Sequence, residues 1–420
     1  MPVPPSLLPL LLAAPLWAGE PVEAGASRPE PAVSAPDPAP VALAATVTTF
    51  PTWRGDGAQT GVVPGRIEPA ALVLRWSATF TDAIVAAAVV DETTVVVGSK
   101  DGHVRAFERS TGAVRWDVAT GGPVEGPALL VGGVAVVGSR DGKVRALELA
   151  TGTARWVFDA GAEVTGGATF VPAAGEGGES VVIGAYDGRV HRLRLADGSP
   201  VWAYGTGSYV YGSPAVRDGV AVVGGCDGFV HTVGLADGAA VAKVPVEAYV
   251  GSSVAWGGDL AYTGHFGNKV IGFVPATAEV RWTHFERSFA YLSSPAVTDE
   301  AVILGGRDRV LHALDPKTGE ALWWFPAKGK IDSSPVVAGP HVLVGSHDGR
   351  LYVVEADTGA EVRAFDLGAA VSASPAVAGG WVWIGAEDGV LHAFGPPAEP
   401  QAPAKGGKGS TTGPADRTKR

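Results

Sequence analysis

The sequence predicts an all-β fold, a single eight-bladed β-propeller of four-stranded antiparallel blades. Three observations predict it. First, a motif close to Gly-Ser-x-Asp-Gly recurs along the chain, as in Gly98-Ser99-Lys100-Asp101-Gly102 and Gly138-Ser139-Arg140-Asp141-Gly142. Its Asp slots fall at 101, 141, 187, 227, 267, 308, 348 and 388, the copies at Gly267 and Asp308-Arg309 being degenerate. Eight copies at a period of about forty residues indicate one four-stranded sheet per repeat. Second, a Trp column recurs at Trp76, Trp116, Trp156, Trp202, Trp282 and Trp323, with Ala242 and Arg363 in the two remaining repeats. Third, the chain is 46% hydrophobic, yet its apolar residues lie in short β-branched runs between Gly-rich turns. Strands buried on both faces read that way.

Each repeat yields its elements in order. In the repeat 133–172, Val134-Ala-Val-Val137 is a short strand. Asp141-Gly142 follows as a hairpin turn needing positive φ, which suits Asp-Gly. The strand 143–149 then runs to a second turn at Thr151-Gly152, and the next strand carries Trp156. After a Gly-containing loop, the small and β-branched residues 164–171 open the following blade. Later repeats write that segment as Ser213-Pro-Ala-Val216, Ser294-Pro-Ala-Val297, Ser334-Pro-Val-Val337 and Ser374-Pro-Ala-Val377. Small residues fit there because the innermost strands crowd the propeller axis. The Trp column supplies large apolar anchors between blades.

Strand counting predicts how the ring closes. The first Trp-type strand, 72–79, precedes any hairpin, and the last hairpin, 381–394, has no Trp-type strand after it. Residues 72–79 should therefore be the outermost strand of the final blade, which removes two open sheet edges. The propeller spans 51–396, larger than ordinary domains, because each blade buries itself against its neighbours.

The ends have different characters. Residues 1–18 contain an apolar stretch, 7–17, too short for a membrane span. Small residues follow, as in a secretory signal peptide, although no Lys or Arg precedes the apolar core. Residues 19–50 are Pro/Ala-rich and read as a disordered linker, and 397–420 as a disordered basic tail. Export to the periplasm or outside the cell is the expectation. A net charge of −11 argues against nucleic acid as a partner. The one cysteine, Cys226, excludes an intramolecular disulfide and a Cys-based metal cluster, and no Cys follows the signal region for acylation. A monomer is expected.

The sequence contains no catalytic constellation. His191, His231, His312 and His392 share one slot after the turn, where other blades place Arg105, Arg145, Ile271 and Tyr352. Equivalent slots lie one per blade around the ring, so these histidines are structural and do not converge on a metal. The repeated Asp residues are turn formers. There is no phosphate loop, no Cys-x-x-Cys-His haem site and no Gly-x-Ser-x-Gly elbow. No catalytic residue, cofactor or metal site is assigned.

The residue before each Asp slot varies most: Lys100, Arg140, Tyr186, Cys226, Phe266, Arg307, His347 and Glu387. These turns join the second and third strands and share one face with the loops between blades. One sector of that face is rich in aromatic residues. Its candidate partner-binding residues are Tyr186, Tyr209, Tyr249, His265, Phe266, Phe289, Tyr291 and Arg307, since aromatic and Arg clusters favour recognition surfaces.

The string Gly-Ser-x-Asp-Gly-x-Val-x-Ala-Leu, then Thr-Gly-x-x-x-Trp, then Ser-Ser-Pro-Ala-Val resembles the pyrroloquinoline-quinone-like propeller repeat. That family includes quinoprotein alcohol dehydrogenases and BamB-type outer-membrane assembly factors. The lead-in Trp53-Arg54-Gly55-Asp56, with Thr60-Gly61, also looks like that of secreted bacterial members. The resemblance covers about 51–396. Its dehydrogenase branch implies adjacent cysteines over the quinone and calcium ligands from inserted loops, and no residue here matches them. The one notable insertion is 173–180. Its assembly-factor branch implies a non-catalytic, exported, protein-binding scaffold in the cell envelope, though without that branch's acylated Cys. The alternative is a sensory or small-ligand-binding propeller. The motifs specify the fold, and repeats of this family occur with and without the quinone.

Overall fold

A computed structural model describes residues 49–173, 178–285 and 288–397. The expected signal peptide, linker and basic tail, and part of the 173–180 insertion, lie outside the described residues. Eight four-stranded antiparallel sheets form the propeller. In chain order the blades are 89–119 (blade 1), 129–159 (blade 2), 169–205 (blade 3), 215–245 (blade 4), 255–284 (blade 5), 296–326 (blade 6), 336–366 (blade 7) and 376–395 (blade 8). The last has three strands of its own. Its fourth, outermost strand is Val73–Thr79, antiparallel to Val390–Gly395 with Trp76 opposite Ala393. The ring closes as strand counting predicts. Among the described residues no helix is long and apolar enough to cross a membrane.

The core lies between blades, not within one layer. Val96, Val104 and Trp116 of blade 1 pack with Ala135, Val137 and Leu147 of blade 2 in one buried cluster. The Trp column locks each blade to the next. In all eight outermost strand pairs the register slips beside the Trp position. Such a bulge re-aims a side chain, here towards the neighbouring blade. The indole N–H of Trp116 donates to the Leu149 carbonyl at 2.8 Å, and that of Trp156 to Leu195. Trp76 donates to Arg109, across the seam. Each indole also covers the glycine of the neighbour's turn. A Cβ on Gly359 would lie 2.4 Å from the Trp323 ring, and one on Gly112 2.7 Å from Trp76.

The two repeats lacking Trp solve the contact differently. Ala242 leaves space over the turn of blade 5, and that turn carries Ala278 at φ 61° where the others carry glycine. The Thr232 hydroxyl takes over the carbonyl contact, donating to Pro275 at 2.8 Å. Arg363 faces the seam, where the chain enters through the short 3-10 turn Pro69–Ala71 in place of a glycine turn. Its guanidinium donates to the Pro69 carbonyl and lies over Phe365.

Residues 50–63 form a strap across the axis. Phe50 pairs with Val90 of blade 1. The carbonyls of Pro51, Gly57, Ala58, Thr60 and Gly61 then accept N–H groups from Leu130, Val216, Trp256, Val297 and Val337. One short segment thus bonds to the innermost strands of blades 1, 2, 4, 5, 6 and 7. For blade 3, the Gln59 amide donates to Thr169 Oγ1 at 3.2 Å. Val62–Val63 ends the strap as a parallel fifth strand on blade 7. Arg54 lies fully buried at its centre, donating to the carbonyls of Pro335 at 2.9 Å and of Pro295. Burial brings its guanidinium down to about 9, while the nearby Asp56 carboxylate works the other way.

Candidate binding funnel on the hairpin face

The hairpin turns that carry an Asp share one design. In blade 1, Asp101 accepts the His103 N–H through one oxygen and holds Arg105 through the other at 2.8 Å. In blade 2, burial tends to raise Asp141, but hydrogen bonds from Arg145, Gly121 and Lys143, with the Arg145 charge, together outweigh it and hold the carboxyl down to about 2. Elsewhere the same oxygen meets His191 at 3.0 Å, His231 at 3.0 Å, His312 at 2.9 Å and the Tyr352 hydroxyl at 2.8 Å. His191, His231 and His312 are therefore turn braces, each held by the Asp of its own turn, with His231 also bonded to the Tyr204 hydroxyl of blade 3; His392 makes no such bond through Nε2. Among the described residues no group of His, Cys, Asp or Glu could hold a metal.

The turns are pinned to the inter-blade segments. In all eight blades the N–H of the variable residue before the Asp slot bonds to a carbonyl of the segment entering that blade. Lys100 to Ala83, Cys226 to Tyr209, Phe266 to Tyr249 and His347 to Lys330 are examples. This brings two columns of side chains together around the axis. One is the variable column already identified. The other, in the entering segments, reads Val85, Glu125, Thr165, Tyr211, Gly251, Leu292, Asp332 and Ser372. Eight equivalent positions carry eight different residues, and all eight line one axial funnel of about 580 Å³. The strap closes its far end, placing Trp53 in the lining. Packing columns in the same segments repeat instead, as the serines at 213, 253, 294, 334 and 374 do.

The mouth has two unlike arcs. Blades 3 to 5 supply aromatic rings. Tyr186 stacks on Tyr209 with centroids 4.9 Å apart, and Tyr249 meets Phe266 edge-on. The remaining arc is ion-paired. Arg307 grips Asp332 with two bonds of 2.8 and 3.1 Å, and Lys330 and His347 join at 3.1 and 3.2 Å. Burial alone would raise Asp332, but His347, Arg307 and Lys330 together hold it far below the usual carboxylate range. On the other side, Arg140 bridges Glu125 and Glu163 at 3.4 and 2.9 Å.

The structure sorts the expected partner-binding residues. Tyr209, Tyr249, Phe266 and Phe289 are exposed, and Tyr186 and Arg307 are partly exposed, all on the hairpin face. His265 and Tyr291 are corrections, because both are buried. Tyr291, in the segment that enters blade 6, belongs to a column that elsewhere holds Val124, Val164 or Ile331, and its ring packs on His312. His265 occupies the slot of Ser99 and Ser139. Burial, with the Lys269 charge, lowers it to about 4, and its neutral Nδ1 accepts the Gly267 N–H. It takes the place of the Ser hydroxyl, which in blades 1 and 2 accepts the N–H of Asp101 and of Asp141. Among the expected structural anchors, Trp76, Trp116, Trp156 and Trp282 are buried, while Trp202 and Trp323 are half-buried. Sequence reasoning missed Glu125, Tyr211, Asp332 and Trp53 as site residues. For the first three the signal was present, since aligning the repeats shows their column never repeating.

Fold and funnel define an eight-bladed propeller in which repeated residues hold the ring and varied residues face the axial opening. The chain belongs to the family described as outer membrane protein assembly factor BamB, whose profile matches over 60–223, 166–288, 226–329 and 306–396. Among solved structures, BamB from Moraxella catarrhalis aligns with TM-score 0.65 and 22% identity, over 77% of this chain and 97% of that one. The computationally designed Ika8 protein gives 0.66 and 20%, over 75% and 97%. Quinohemoprotein alcohol dehydrogenase from Comamonas testosteroni gives 0.73 and 15%, over 86% and 83%. At these identities the structures share the fold. A search of curated proteins returned no match. The adjacent cysteines and calcium ligands associated with a bound quinone have no counterparts in the funnel lining, so the residues present do not fit that group.

Proposed function

We propose that the protein is a non-catalytic, exported, monomeric propeller that acts as a protein-binding scaffold, with outer-membrane protein assembly as the most concrete setting. The carrying observation is the concentration of unlike residues at one face of an otherwise repetitive molecule. Membership of the BamB-described family supports the setting. The aromatic arc of Tyr186, Tyr209, Tyr249, Phe266 and Phe289, flanked by Arg307, has the make-up of a recognition surface. Pull-down from envelope extracts, followed by the triple variant Tyr186→Ala, Tyr209→Ala and Phe266→Ala, tests it. True hot spots cost roughly 2 kcal/mol or more each, so the variant should lose the partner while keeping its circular dichroism spectrum. Undiminished capture by the variant would refute the assignment of this face. The funnel supports the second reading, a small-ligand-binding propeller, and its chemistry is specific enough to pursue.

A further inference from the structure

We infer that the axial funnel binds the end of a neutral oligosaccharide. It rests on the small-ligand reading of the funnel, and it shares Tyr249 and Phe266 with the proposed protein surface. Its volume of about 580 Å³ lies within the range of small-ligand sites. The strap closes the far end, so a ligand enters through the mouth and stops against Trp53; a chain end fits and a threaded polymer does not.

Charge decides against an anion or cation. Lys100, Arg307 and Lys330 in the lining are matched by Glu125, Asp332 and Glu387. Arg307, Lys330 and Asp332 are moreover bonded to one another. The field is balanced, and the ion pairs present fixed donors and acceptors side by side. A pyranose rim, whose hydroxyls both donate and accept, needs that mixture.

The deeper wall adds donors. Ser213 N–H donates to Ser253 Oγ at 2.8 Å, and the relay continues at 2.9 Å through Ser294, Ser334 and Ser374. Each hydroxyl oxygen is thereby fixed as an acceptor from the preceding blade. Among the described residues the hydroxyl protons of these lining serines have no acceptor, so they remain available to the funnel. Accepting that N–H polarises each hydroxyl's own O–H. Ser372 Oγ, also in the lining, is buried with no hydrogen bond. In the same lining, Tyr211, Tyr249 and Phe266 present exposed rings, suited to the apolar C–H face of a sugar.

Calorimetric titration of the full chain with maltotriose, cellotriose and triacetylchitotriose tests the inference, with citrate and triglycine as charged comparators. At least one saccharide should bind one-to-one with a dissociation constant between about 1 μM and 1 mM. Tyr249→Ala should weaken it by about tenfold or more, and Leu292→Trp, which fills the funnel without touching the serine relay, should abolish it. Trp324→Ala, on the exposed outer edge, should bind as the parent does. Absence of binding by all three saccharides up to about 10 mM overturns the inference. So does tighter binding of citrate or triglycine, or saccharide binding that survives Leu292→Trp. Because these variants leave Tyr186 and Tyr209 in place, a failure here leaves the protein-capture test intact.

Discussion

Arg54 and His265 show how much a single buried polar side chain can carry. Arg54 joins the strap to two blades by donating to Pro295 and Pro335. Removing one partner of a buried charged contact leaves polar groups stranded, at a cost of about 3–5 kcal/mol. Arg54→Met should lower the urea stability by that order. A loss within experimental error would show the strap is held by its backbone bonds alone. His265 makes stability depend on pH. Folded, it takes up a proton only near pH 4, whereas an unfolded histidine does so near its ordinary value of 6.5. As pH falls from 6.5 to 4 the unfolded chain binds the extra proton, so stability drops across that window. His265→Asn keeps an acceptor near the Gly267 N–H and removes the titration. Its stability should fall less over the same interval, and parallel curves for variant and parent would contradict this.

At the scale of the element, the indole-over-glycine contact is the unit that joins blades. The chain supplies its own control, for where Ala242 replaces Trp the opposing turn tolerates Ala278 at positive φ. Gly359 does not have that freedom while Trp323 covers it. Gly359→Ala should therefore destabilise more in the parent than in a Trp323→Ala background, giving a coupling energy of about 0.5–3 kcal/mol in a double-mutant cycle. Additive costs would mean the ring and the turn do not touch. Trp76→Ala tests the same contact at the seam, and a buried Trp truncation costs roughly 3–5 kcal/mol.

For the whole molecule, closure has two parts that sit next to each other in the chain. Residues 50–63 strap the innermost strands, and Val73–Thr79 completes blade 8. A chain beginning at residue 81 loses both, exposing a sheet edge and the inner ends of most blades. It should aggregate on sedimentation and melt without cooperativity. A chain beginning at residue 49 keeps both and should melt as the full chain does. A soluble, cooperative 81–420 protein would show that the ring is held by blade contacts alone.

The repeat by itself determined the architecture, the number of blades and the seam. These follow from local matters: turn residues at a fixed period, apolar runs of strand length, and one Trp-type strand left over at the start. It also marked the turn residues Lys100 to Glu387 as the varied positions. It misjudged Tyr291 and His265 because an aromatic or imidazole ring reads the same whether its column faces inward or outward. Tertiary structure decided the rest. The strap is invisible to periodicity, since Trp53, Arg54 and Gln59 occur once, and Arg54 and Gln59 bond to residues as far apart as Pro335 and Thr169. The funnel exists only because circular closure brings eight unlike side chains to one axis. A sequence records what each blade carries, and the ring decides which of those residues meet.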